Sequence, residues 1–332
     1  MNKIAVISDI HGNIPALEAT LADIRERDIK HIYCLGDLVG KGPQSALAVD
    51  MIREQCEVVI RGNWDDFMPL ESDNVMTQWN QEQLGQERLA YLGALPNVVD
   101  FQMSGKRVRL FHASQTSVHK RIHMDDSYET HLEMFANTEF TGYVQPEPDV
   151  VGYGDIHAVY VRALYLDHKT LFNAGSVGNP LDEPLATYVI LEGRLHSDVP
   201  APFGLQIVRL PYDIERVIEI AREMDMPEIE PFAIEVRTAV YRGRQVKPTP
   251  VSQYEQIYIP LLEEGTPCSR PTVGERITDE IFRVFPTENY DPEDEIWEFP
   301  PGTIVKCVIE ERHVGSKRKK VLVAKEEYKV ET

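Results

Sequence analysis

KIAVISDIHG (residues 3–12) is an apolar run, rich in Val and Ile, that breaks off at Asp9 and His11. Such a run reads as a parallel strand buried on both faces. In open α/β sheets the chemistry gathers at the carboxyl ends of these strands. A carboxylate and an imidazole two residues apart at such an end can turn to the same ligand. The arrangement recurs along the chain. HIYCLG (31–36) leads to Asp37, CEVVIRG (56–62) to Asn63, RVRLF (107–111) to His112, and DVVGYG (149–154) to Asp155 and His157. Strand ends that each offer oxygen or imidazole donors imply one shared site. Hard oxygen donors mixed with imidazole suit Mn, Fe, Zn or Mg rather than a thiolate-loving metal.

Between these blocks the chain alternates strand and helix. Ile14 to Arg27 has helical periodicity in Leu17, Leu21 and Ile24, with Asn13 as its N-cap. A strand over 31–36, a helix over 44–55 and a strand over 57–61 complete βαβαβ, which right-handed crossovers make parallel. Residues 66–96 read as a helical insertion. Strands at 98–103 and 106–111 meet at Ser104-Gly105 as a hairpin. Residues 127–137 read as helical. A second strand group is expected at 149–153, 158–166, 170–173, 186–191 and 205–209, then helices at 212–224 and 231–240. GRQVKPTPVSQ (243–253) reads as a linker. Beyond it, 254–332 carries short strand-like runs (EQIYIPLL, EIFRVFP, TIVKCVIEERH, KKVLVAKEEY) with turn-rich joins, the pattern of a small β-barrel or β-roll.

The chain has 332 residues, 42% of them hydrophobic, and a formal charge of -20. That charge argues against general affinity for nucleic-acid backbones or anionic membranes. It leaves a phosphorylated substrate open, because divalent cations would dominate the local field. Cys34, Cys56, Cys268 and Cys307 form no C-x-x-C pair, so no disulfide framework is implied and a reducing cytoplasm is expected. The N-terminus enters the first strand without a basic and apolar signal segment. No apolar run reaches the ~18 residues of a membrane span.

Taken in order, the blocks resemble those of the calcineurin-like metallophosphoesterases: D-x-H, G-D, G-N-[HCW]-[DE], a lone H after a strand, and G-H-x-H. Here they stand as Asp9-Ile10-His11, Gly36-Asp37, Gly62-Asn63-Trp64-Asp65, His112 and Gly154-Asp155-Ile156-His157. NAGSVGNP (173–180) is similar to the family's N-P-G-S-V-G-x-P turn, with Ala174 in place of Pro. The resemblance covers about residues 1–242 and implies two mixed β-sheets packed face to face with helices outside. It also implies a hydroxide activated by two divalent ions, Mn foremost, with Fe, Mg or Zn as alternatives. Asp9, His11 and His157 would hold the first ion; Asn63, His112 and Asp155 the second; Asp37 would bridge them. Asp37, Asn63 and His112 are thereby the catalytic candidates. A D-x-H alone is more often a strand end with an Asx turn, and a lone His after a strand a satisfied rim histidine. The order of the blocks is what selects the metal reading.

Two positions depart from the pattern. Asp155 stands where the family has His; it either ligates the second ion, favouring Mn or Mg over Zn, or leaves that ion weakly held. Trp64 stands where phosphomonoesterase relatives carry a histidine that resembles a general acid, and indole cannot donate that proton. The same Trp occurs in relatives that resemble small prokaryotic phosphodiesterases and dinucleoside polyphosphate hydrolases. It either stacks a nucleobase or fills space beside the metals. Lys41 and Arg61 are candidate phosphate contacts, and His119 and His123 candidate replacement acids. The reading is a phosphoesterase acting on phosphodiester or phosphoanhydride bonds of nucleotides. The rivals are a phosphomonoesterase, including a protein phosphatase, and a degenerate binding scaffold that recruits a protein partner through 254–332.

Overall fold

The computed structural model describes residues 1–143, 145–241, 254–266, 268–278, 280–287, 290–292, 294–314 and 317–328. The linker expected at 243–253 lies outside the described residues. The chain divides into two compact units, 1–243 and 244–332.

The first unit begins β1 (Asn2–Ile7), α1 (Ile14–Glu26), β2 (His31–Cys34), α2 (Ser45–Gln55), β3 (Val58–Val59), α3 (Asn63–Phe67) and α4 (Val75–Gly93). It continues with β4 (Val98–Met103), β5 (Lys106–Phe111), α5 (Tyr128–Glu133), β6 (Val150–Tyr153), β7 (Tyr160–Leu164) and β8 (Lys169–Asn173). β9 (Ala186–Gly193), β10 (Gly204–Leu210), α6 (Ile214–Glu223) and α7 (Ile229–Thr238) close it. One sheet runs β10-β9-β1-β2-β3 and the other β4-β5-β6-β8-β7. β1, β2 and β3 are parallel, in register Ile4↔His31 and Tyr33↔Val58, as the βαβαβ reading requires.

Alternation along β1 shows why this strand is apolar throughout. Ala5 and Ile7 pack into the core that α1, α2 and α4 share, with Leu17, Leu21 and Ile52. Ile4 and Val6 face the other way, into a second core with Val108, Leu110 and Phe172 of the opposite sheet. A third core lies under α5, joining Val151, Tyr153 and Leu171 to Phe135. The layers are helix, sheet, sheet and helix. The expected pair of mixed sheets flanked by helices is present.

Local signals hold well. The Asn13 side chain accepts from Ala16 N and opens α1. Ser104 and Gly105, at φ 55° and 79°, make the tight turn between β4 and β5, where two left-handed residues match the twist of the paired strands. α4 is broken at Gly85, whose φ of 65° and ψ of 169° leave the helical region. The helix expected over 127–137 ends at Glu133.

The second unit holds β11 (Tyr254–Pro260), β12 (Ser269–Arg276), β13 (Ile281–Val284), β14 (Ile304–Val314) and β15 (Lys317–Glu327), closed into a barrel. β15 returns parallel to β11 at Ile257↔Leu322. Ile257, Ile259, Phe282, Trp297 and Val305 fill it. β12 is a strand the sequence reading lacks. Pro271 and Gly274 sit inside it, and both count against a strand assignment; pairing along the whole of β11 overrides them.

Among the described residues no helix is long and apolar enough to cross a membrane. Each unit has its own core, so residues 1–243 expressed alone are expected to fold and retain the metal content of the full chain. Metal analysis and thermal unfolding of that fragment check this. An insoluble or metal-free fragment would make 244–332 part of the catalytic fold.

Candidate metal centre

The backbone turns sharply after β1, β2 and β6. Asp9, His11, Asp37, Asp155 and His157 all take left-handed conformations, with φ from 49° to 63°. Non-glycine residues there cost roughly 1–3 kcal/mol each, and such strain collects at functional sites. It aims the side chains back toward one point. Donor atoms of Asp9, His11, Asp37 and His157 lie within 4.8 Å of one another, all buried.

The hydrogen bonds fix the imidazole tautomers. His11 Nδ1 lies 2.9 Å from Val39 O, His157 Nδ1 2.5 Å from Asn179 O, and His112 Nδ1 2.8 Å from Leu35 O. A carbonyl only accepts, so each Nδ1 donates and the neutral form of each ring presents an Nε2 lone pair, the arrangement that orients metal-bound histidines. The Nε2 atoms of His11 and His157 then face each other at 3.2 Å. Asp9 Oδ1 is buried without a hydrogen-bond partner, 3.1 Å from His157 Nε2. Acceptors this close repel unless a positive charge sits among them. The residues fit a divalent cation.

A second group adjoins the first. His112 Nε2 is 3.0 Å from Asn63 Oδ1, 3.5 Å from Asp37 Oδ1 and 4.0 Å from Asp155 Oδ1. Asp37 Oδ2 lies 3.6 Å from His11 Nε2. Asp37 therefore reaches both groups, one oxygen to each.

The electrostatics follow from burial and crowding. Burial pushes His11 well below its usual value, and the positive charge of Lys41 adds to that. Burial would lower His112 as well, but Asp37, Asp9 and Asp155 outweigh it and raise His112 to about 10. Burial would raise Asp9, yet His157 and the other imidazoles hold it below the usual carboxylate range. The pocket is short of positive charge, which a proton or a metal ion can supply.

Supporting residues hold this geometry. Asp65 Oδ2 accepts from Asp37 N (2.7 Å) and Gly62 N (2.9 Å), and its Oδ1 from Leu38 N (3.0 Å). Burial and the neighbouring Asp37 push its carboxyl up to about 7. A Cβ on Gly62 would stand 2.1 Å from Asp37 Oδ1, so that position admits glycine alone. The NAGSVGNP turn clamps the end of β1: Ser176 Oγ and Gly178 N both donate to Asp9 O, at 2.8 and 2.9 Å.

Sequence-predicted contacts divide at this point. Trp64 N donates to Asp37 Oδ1 (2.8 Å), and the indole meets His11 edge-on at 5.8 Å. With Lys41, Asn74, Met76, Glu228 and Tyr241 it lines a cleft of about 140 Å³. Lys41 Nζ reaches Asn179 Oδ1 at 2.9 Å. Arg61 does not join the cluster: its guanidinium is engaged by Asn97, Gly93 O and Asp66. Asp66 also binds His119 Nε2 at 2.9 Å. His123 N donates to Asp126.

Two residues escaped the sequence reading. Asp65 was part of a quoted block without a role. Arg121, between the two histidines that were weighed, holds Asp155 in a bidentate pair at 2.9 and 2.9 Å. The available signal was Asp155 itself, because a carboxylate at a buried strand end calls for a cation.

The profile of the calcineurin-like phosphoesterase superfamily domain matches residues 2–194. The chain belongs to this superfamily. It is a metallophosphoesterase, a hydrolase of phosphoester bonds, as the six sequence blocks imply. The uncharacterized protein MJ0912 of Methanocaldococcus jannaschii is 32% identical over 255 residues, 68% of this chain and 95% of that protein. A metallophosphoesterase from Sphaerobacter thermophilus superposes with a TM-score of 0.57 at 24% identity, covering 72% of this chain and 100% of that one. The hypothetical protein PH1004 from Pyrococcus horikoshii superposes at 0.58 with 19% identity, covering 73% of this chain and 99% of that one. These two likenesses concern the metallophosphoesterase fold.

Proposed function

We propose that this phosphoesterase hydrolyses phosphodiester or phosphoanhydride bonds of nucleotides with two divalent ions, Mn being the native one. The observation that carries the reading is Asp37, one oxygen toward His11 and the other toward His112. Asp9, His11, Asp37 and His157 would hold one ion, and Asp37, Asn63 and His112 the other. Asp155 stands at the edge of the second group, its Oδ1 4.0 Å from His112 Nε2 and both its oxygens accepting from Arg121. Bound divalent ions polarise phosphoryl oxygens and lower the pKa of water.

The chain's own groups do the rest. Lys41 sits at the cleft beside the cluster and offers positive charge to a phosphate. Trp64 forms a wall of that cleft, where base–aromatic stacking is worth ~1–3 kcal/mol. Part of the indole packs inward, against His11 and Phe67. Four free cysteines suit a reducing cytoplasm. A phosphoester panel assayed with added Mn tests the reading, and turnover of nucleotide anhydrides or diesters ahead of monoesters is the expected result.

Without a proton donor at 64, wild-type rates should fall steeply as leaving-group pKa rises. Trp64→His should flatten that dependence, raising rates on alkyl esters by about 10²-fold while weakening nucleotide binding. A leaving-group series at matched metal occupancy measures both effects. Equal wild-type rates on alkyl and aryl esters would favour the second reading, a phosphomonoesterase in which His119, oriented by Asp66 at 2.9 Å, supplies the proton.

A further inference from the structure

We propose that Arg121 is a phosphate-binding residue of this site and that Asp155 serves as its anchor. The inference rests on the phosphoesterase reading and names a residue within it. The Asp155 side chain is 3% exposed and that of Arg121 47%. The guanidinium thus spans from the buried cluster to solvent. Its Nε and Nη2 meet the two Asp155 oxygens at 2.9 and 2.9 Å, the fork-to-fork geometry that gives carboxylate pairs their direction. Five N–H donors are available and the pair uses two. The others have no partner among the described residues.

The guanidinium is fixed in place by both ends of its surroundings. Asp155 N donates to Asp9 Oδ2 (3.2 Å), and Asp155 Oδ1 lies 4.0 Å from His112 Nε2. Arg121 is therefore one carboxylate away from the ligands. Its chain neighbour Ile122 is buried and accepts from Tyr153 Oη at 2.9 Å. Tyr153 ends β6, the strand that leads to Asp155. One strand thus holds the loop and anchors the side chain. Arginine so held loses little further freedom when an oxyanion arrives, and its planar fork suits phosphate.

This also accounts for the departure at 155. A neutral ligand there would leave Arg121 untethered. A carboxylate there needs a counter-charge because it is buried, and Arg121 supplies it. Of the other cations near the blocks, Arg61 is turned to Asn97 and Asp66, and Lys41 reaches Asn179.

The test uses the full-length, Mn-loaded protein with inorganic phosphate and bis(p-nitrophenyl) phosphate as probes. Phosphate affinity is measured by calorimetry, KM and kcat with the diester, and Mn per chain by mass spectrometry. Arg121→Ala should weaken phosphate binding and raise KM about 10–100-fold, the worth of a charge-assisted hydrogen bond, with Mn content not reduced. Arg121→Lys should restore part of the affinity, since it keeps the charge and loses the fork. Asp155→Asn should shift phosphate affinity in the direction of Arg121→Ala. Unchanged phosphate affinity in Arg121→Ala with Mn retained overturns the proposal, as does a loss explained wholly by lost Mn. An unchanged Asp155→Asn beside an affected Arg121→Ala removes the anchoring role. Wild-type protein that binds Mn and phosphate yet turns over no ester defeats the hydrolytic reading separately, with Arg121 still judged on the phosphate isotherm.

Discussion

Asp37→Asn is expected to strip at least one ion from the site. The substitution keeps the shape of the side chain but removes the charge that faces His11 Nε2 at 3.6 Å and His112 Nε2 at 3.5 Å. An amide can present one oxygen to one ion and cannot serve both. Bound Mn should fall from the wild-type count to one ion or none. kcat/KM on a chromogenic diester should fall by at least about 10³-fold, since charge stabilisation by the ions is worth several kcal/mol. The fold should survive, because the amide oxygen still accepts from Trp64 N. Elemental analysis beside a thermal melt separates loss of metal from loss of structure. An unchanged metal count removes Asp37 from the bridge.

Asp65→Ala should be nearly as damaging, by another route. Asp65 is buried and its two oxygens accept from the backbone of Asp37, Leu38 and Gly62. Alanine leaves three buried N–H groups without acceptors, at ~1–3 kcal/mol each. Partial entry of water offsets some of this, so a net loss of about 3–5 kcal/mol is expected. The residual folded protein should also bind Mn more weakly, because the turn presenting Asp37 is no longer held. Urea unfolding of the variant gives the first quantity and a Mn titration the second. Wild-type stability with reduced Mn affinity would assign Asp65 to the metal rather than to the turn.

Both predictions concern residues whose importance was unequally visible in the sequence. Asp9, His11, Asp37, Asn63, His112 and His157 were legible as candidates because polar residues at strand ends follow local rules. Alternating burial makes the strands apolar, the chain must turn where they stop, and the blocks come in a fixed order. The helix at 14–26 and the Ser104-Gly105 turn were legible for the same reason: their signals span a few neighbouring residues. β12 was not, because Pro271 and Gly274 speak against a strand locally and only pairing with β11 makes one.

The side-chain partnerships were decided by the tertiary structure. Arg121 meets Asp155 across 34 positions, and Arg61 turns to Asn97 across 36. Asp65 reaches back 28 positions to Asp37 N. Composition and period state which residues lie at a strand end or on a buried face. They do not state which two charges come within hydrogen-bonding distance, because that depends on how sheets and loops far apart in the chain pack together. The candidate ligands could be read one strand at a time; the cation beside them depended on a loop and a strand brought together by the fold.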